Sequence, residues 1–121
     1  MQIYMLFADD TGQSHWKDVA VDVQERSFAP PALAIEISEP TAAEATFFLR
    51  LKAGWDEPPH PTPKAQRLIC LTGCALVTAS DGDQRKIGPG DVWDMKDTHG
   101  AGHHTKVISE VDFTCVMVQF G

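Results

Sequence analysis

Apolar residues recur at every second position through much of this chain, and no stretch carries a helical period instead. Val19, Val21 and Val23 alternate with polar neighbours. Leu33, Ile35 and Ile37 do the same, as do Phe47, Leu49 and Leu51. A period of two puts successive side chains on opposite faces of an extended segment, so these read as half-buried strands. Turn chemistry separates them: Asp9-Asp10-Thr11-Gly12, Pro30-Pro31, Glu39-Pro40, Ser80-Asp81-Gly82-Asp83 and Gly88-Pro89-Gly90-Asp91. Asp-Gly supplies the positive φ of a hairpin turn, and paired prolines enforce extended backbone. Further strand-like segments lie at Gln2–Ala8, Gln66–Leu71, Ala75–Ala79, Gln84–Ile87, Val92–Met95, Thr105–Ser109 and Phe113–Phe120. About ten short strands at roughly 8–12-residue spacing predict an all-β sandwich or barrel.

Two short pieces stand out within that pattern. His60-Pro-Thr-Pro-Lys-Ala-Gln66 is proline-rich, and His99-Gly-Ala-Gly-His103-His104 is glycine-rich; together they hold four of the five histidines. Residues 60, 62 and 66 share even parity, so one face of an extended chain can carry His60, Thr62 and Gln66 together. Pro59, Pro61 and Pro63 cannot donate to a ladder, which puts that segment at an edge or at a barrel mouth. His103 belongs to another strand, and only a closed barrel could bring it to His60. His104 points away from its neighbour and is expected to be exposed.

Composition narrows the partners. A net charge of -7 and a pI near 5.0 argue against nucleic acid and anionic membranes, which call for a basic patch. No apolar run is long enough to span a bilayer, and no signal peptide is evident. Cys70, Cys74 and Cys115 are an odd set without framework spacing. They read as small apolar filler in a reducing compartment, which favours a cytoplasmic location. A length of 121 residues is expected to form one domain, with residues 1–28 as N-terminal strands or arm and 29–121 as the barrel.

Gly54-Trp55, then His60-x-Thr62-x-x-x-Gln66 and Gly73, resembles the first motif of the cupin superfamily. Gly88-Pro-Gly-Asp91 followed by Gly100-x-x-His103 resembles the second. The resemblance implies a double-stranded β-helix, a jelly-roll barrel. It also implies a divalent transition metal (zinc, nickel, iron or manganese) held by His60, Gln66 and His103. In the usual first motif a histidine stands where this chain has Thr62 and a glutamate where it has Gln66, so the expected ligands are all neutral, with His99, His104, Asp97 and His15 as possible substitutes. Thr62, Trp55 and Trp93 are expected to line the pocket, with His99 or His15 as candidate acid or base. The function this implies is a metal-dependent cupin acting on a small organic substrate, as a dioxygenase, isomerase or lyase. The alternative is a metal-free cupin that binds a small molecule in the same histidine-lined pocket, as a sensor or binding module. Cupins of this size commonly pair, so a homodimer through the apolar Gln2–Ala8 and Val19–Val23 segments is expected.

Overall fold

The computed structural model describes residues 1–121, and the chain is all β. In order it forms β1 (Gln2–Ala8), β2 (Ser14–Ala20), β3 (Gln24–Arg26), β4 (Ile35–Ile37), β5 (Ala45–Leu51), β6 (Gln66–Thr72), β7 (Ala75–Ala79), β8 (Gln84–Ile87), β9 (Val92–Lys96), β10 (His103–Val107) and β11 (Phe113–Gln119). The large sheet has the order β2-β1-β9-β6-β11-β5, and the small one β10-β7-β8. The hairpin β3-β4 belongs to neither. Within the large sheet β1 and β9 run parallel; the other pairings are antiparallel.

The alternation seen in the sequence is the alternation of burial. Leu68 and Cys70 on β6, Ala75, Val77 and Ala79 on β7, and Phe113, Cys115 and Met117 on β11 all turn inward. Leu6, Ile87 and Trp93 complete the interior between the sheets. Each such side chain removed from water contributes about 1.5–3 kcal/mol. Register is fixed from the opposite face as well. Arg67 on β6 pairs across to Asp94 on β9, with Nε donating to Oδ1 at 2.6 Å and a terminal nitrogen to Oδ2 at 3.0 Å. A one-residue slip of either strand would turn these charges into the core.

Three expectations need correction. The segment before the barrel is not an arm: β1 lies between β2 and β9, so the N-terminal strands form part of the wall. Val21 and Val23 fall beyond the end of β2, and Gln24–Arg26, unmarked by any apolar period, is a strand. What stands away from the barrel is residues 22–44, exposed throughout except Ile37. Strand β10 also begins earlier than expected, with His103 inside it, whereas β11 begins at Phe113 as expected.

Cys70 and Cys115 face each other across β6 and β11, and all three cysteines are free. Burial pushes the Cys70 thiol up to about 11 and the Cys115 thiol up to about 12. Both therefore stay protonated at neutral pH and serve as packing groups, neither nucleophiles nor thiolate ligands.

Candidate functional site

The two histidine pieces meet. His60 N–H donates to the His103 carbonyl, and His103 N–H to the His60 carbonyl, each at 3.1 Å. This short bridge closes the barrel mouth where the proline-rich segment has no ladder of its own. The two imidazole rings lie 5.4 Å apart, centroid to centroid. Below them is a cavity of about 200 Å³. His60, Thr62, Gln66, Trp93 and His103 all line it. Its floor is apolar, built from Leu49 and Leu51 of β5, Leu68 of β6 and Phe113 and Met117 of β11.

A buried carboxylate organises the polar end. Asp97 is fully enclosed, and its Oδ2 lies 2.6 Å from His103 Nδ1. Its Oδ1 accepts the Thr62 hydroxyl at 2.8 Å, and its backbone carbonyl accepts the Thr62 N–H at 3.0 Å. A carboxylate accepts and does not donate, so the proton between it and His103 sits on Nδ1. That leaves Nε2 of the neutral ring as an acceptor. Nε2 bonds to nothing in the chain and is not sealed in the interior, so it opens onto the cavity. His60 is tied in a similar way. Its Nδ1 lies 3.1 Å from the Pro58 carbonyl, again an obligate acceptor, and its Nε2 lies 3.7 Å from Glu57 Oε1. Glu57 also lines the cavity.

Asp97 was read from the sequence only as a possible substitute ligand, and Glu57 was not singled out. Asp97 carried a signal: Trp93, Met95 and Asp97 continue one inward-facing parity past the end of β9. Glu57 carried none, sitting in proline-rich chain without periodicity.

Three expected site residues lie elsewhere. Trp55 is outside the cavity and 41% exposed; its backbone, not its ring, closes onto β10 through the Val107 N–H. His99 is exposed on the turn before β10, because the positive φ of Gly100 and Gly102 turns the chain sharply between it and His103. His15 stands apart from the cavity, clamped between two turns. Its Nε2 is 2.7 Å from Asp9 Oδ2, and its Nδ1 is 2.9 Å from Asp81 Oδ2. As expected from its parity, His104 turns away from the cavity, toward Asp56 on the surface.

His15 has a role of its own in stability. The hydrogen bond to Asp9, then that to Asp81, pushes its pKa above the ordinary value of about 6.5. Asp9 is pulled well below the carboxylate range by the Thr11 hydroxyl and then by His15. A group whose pKa is raised by folding stabilises fully below its unfolded value and loses that contribution as pH rises through the folded one. The Asp9 contribution runs the other way, lost only as pH falls through its depressed value. The clamp is therefore complete between about pH 4 and pH 6.5 and weakens on the alkaline side. We predict a thermal midpoint that declines above about pH 6.5. His15→Gln should remove that decline, and the His15 ring should titrate above the ordinary histidine value by NMR. A flat profile in the parent protein would contradict the clamp.

The metal implied by the resemblance can be tested against these donors. The Thr62 hydroxyl is committed to Asp97. Gln66 Oε1 accepts Gln119 Nε2 at 3.1 Å, and Gln66 Nε2 lies 3.5 Å from Met95 Sδ. No group of three or more His, Cys, Asp or Glu side chains converges on one point. Catalytic sites of the zinc type need at least three protein ligands. Two imidazoles remain, with the Glu57 carboxylate 3.7 Å from one of them, and the three do not gather as metal ligands; the residues do not fit a resident metal, and the set His60, Gln66 and His103 does not assemble as one.

No family model and no curated protein sequence matches the chain. Solved structures do. The chain is similar to a cupin 2 conserved barrel domain protein from Salinispora arenicola, with 19% identity, 84% of this chain and 76% of the other covered, and a TM-score of 0.53. It is also similar to the cupin domain of Schizosaccharomyces pombe Cnp3, with 12% identity, 100% and 83% covered, and a TM-score of 0.51. The chain has the cupin fold. The double-stranded β-helix that the resemblance implied is thus the observed one, and Gly88-Pro-Gly-Asp91 takes its place as the tight turn between β8 and β9. At these identities the likeness speaks for the barrel and not for a reaction. No helix of this cupin barrel is long and apolar enough to cross a membrane.

Proposed function

We propose that this cupin barrel takes a small organic molecule into its cavity without a resident metal, and that His103 is the group that exchanges a proton with it. The observation that carries this reading is the Asp97–His103 contact of 2.6 Å beside an open Nε2. Asp97 fixes the tautomer and would stabilise the imidazolium formed when Nε2 takes a proton. The ligand is metabolite-sized, since about 200 Å³ falls below the ~300–1,000 Å³ of drug-sized sites. Three free thiols, two of them buried, are compatible with a reducing, cytoplasmic setting.

The test is a small-molecule screen read by the His60 and His103 ring signals in NMR. Expected are hits that shift both rings and are lost in His103→Phe. The counter-result is stoichiometric uptake of zinc, nickel or iron(II) by metal-stripped protein at about pH 8, where imidazoles are neutral and able to ligate. That result would return the barrel to metal-dependent chemistry.

We also propose that the protein works as a homodimer. A two-stranded hairpin with three-residue strands is marginal alone, and here residues 22–44 bury almost nothing. Phe28 is 69% exposed, Leu33 88% and Phe48 81%. Phe48 sits on edge strand β5 in a row with Val116 and Ile69. A second copy covering this face would bury the row and the open edge together. The route differs from the pairing through Gln2–Ala8 and Val19–Val23 expected above, because β1 is already paired on both sides within its own chain. Light scattering should give twice the monomer mass, and Phe48→Glu should give the monomer. A monomeric parent would rule the dimer out.

A further inference from the structure

The Gln66 amide and the Thr105 hydroxyl line the cavity as neutral groups, and the charged and imidazole groups at its mouth are all acceptors. His60 Nδ1 is held by a carbonyl and His103 Nδ1 by a carboxylate, so the neutral form of each ring carries its lone pair at Nε2. Glu57 adds a carboxylate 3.7 Å from His60 Nε2. The Thr62 hydroxyl, which might have offered a hydrogen to a ligand, spends it on Asp97. No lysine or arginine lines the cavity, and Asp97 places a second negative charge just behind His103. Two imidazole acceptors, the carboxylates of Glu57 and Asp97 and no cation form a poor receptor for a carboxylate or phosphate, which would meet lone pairs and like charge. They match a group that brings three N–H donors and a positive charge. The opposite end of the same cavity is hydrocarbon: Leu49, Leu51, Leu68, Phe113 and Met117.

We infer that the ligand of this barrel is a small primary amine. Its ammonium would donate to His60 Nε2, His103 Nε2 and Glu57, and its alkyl or aryl body would lie on the leucine and phenylalanine floor. The inference rests on the cavity reading above and adds the class of ligand to it. Charge-assisted hydrogen bonds of this kind are about twice as strong as neutral ones, so the ammonium and not the apolar body should decide the choice of ligand. The apolar floor sets the other half of the specificity: a bare ammonium ion would leave it uncovered.

The test uses three probes of one shape: benzylamine, benzyl alcohol and benzoate, each titrated into the purified protein near neutral pH and followed by calorimetry and by the histidine ring signals. Benzylamine should bind at least about ten-fold more tightly than benzoate, with benzyl alcohol between. Glu57→Gln should weaken benzylamine by about ten-fold and leave benzyl alcohol nearly unchanged. Glu57 is only partly buried, so this variant should fold. If benzoate binds as tightly as benzylamine, or Glu57→Gln does not distinguish the amine from the alcohol, the amine assignment is wrong while the cavity reading stands. If none of the three binds, both fall.

Discussion

Gly102→Ala is expected to cost about 3–5 kcal/mol and to take the binding site apart. Gly102 has a φ of +71°, and a Cβ there would lie 2.1 Å from the His60 carbonyl carbon and 2.3 Å from the Pro61 nitrogen. Both are backbone atoms, so no side chain can rotate away. On the other side the Gly102 carbonyl accepts the buried Ser14 hydroxyl at 2.6 Å. The backbone is thus held from both sides, and a methyl group forces the His60 and His103 segments apart. The two 3.1 Å bridge hydrogen bonds would break, and with them the pairing of the imidazoles. Gly82→Ala is the control. Its φ is +91°, with nothing within 4 Å of the added Cβ. It carries only the intrinsic penalty of about 1–2 kcal/mol for a left-handed residue. Denaturant midpoints of the two variants separate the effects. Equal losses would mean that the close approach at Gly102 does not matter.

Asp97 gives the second large effect, and two substitutions divide its structural part from its chemical part. Asp97→Ala leaves the Thr62 hydroxyl and the His103 Nδ1–H without their partner in the interior, where neither is open to bulk water. An orphaned buried donor costs about 1–3 kcal/mol, so the variant should lose about 3–5 kcal/mol in all. Asp97→Asn keeps the shape and one acceptor. It also offers an amide donor toward one of its two partners. Where that donor faces His103, the ring is driven to the tautomer with hydrogen on Nε2, and the lone pair facing the cavity is lost. Stability should fall much less than in the alanine variant. The ¹⁵N shifts of the His103 ring should exchange their protonated and bare signatures, and ligand binding should go. If Asp97→Asn bound ligand like the parent, His103 would not act through the orientation that Asp97 imposes.

The sequence by itself carried the fold a long way. Period-two apolar runs, Asp-Gly and Pro-Gly turns, and the spacing of His60, Thr62, Gln66 and His103 are local signals, and β1, β7 and β8 begin and end where those signals put them. Parity also put Thr62 and Gln66 on one face, and both are buried against the cavity. Other features were beyond local reading. Strand β3 has no apolar pattern, and the period-two run of Ile35 and Ile37 in its partner β4 faces no barrel core, because this hairpin belongs to neither sheet. Gln66 looked like a ligand position until Gln119, from the far end of the chain, took its oxygen. His99 and His15 looked as available as His103, since a histidine is the same residue on a turn, in a clamp or in a barrel. Only closure of the barrel decided among them. It brought Asp97 and Thr62 together from 35 positions apart and sealed them from water. A carboxylate that ordinarily belongs to the surface became the group that orients His103. The same closure set Glu57 beside His60 at the mouth. Periodicity reports which face a side chain occupies; what it meets there depends on strands remote in sequence, and the chemistry of this cavity comes from those meetings.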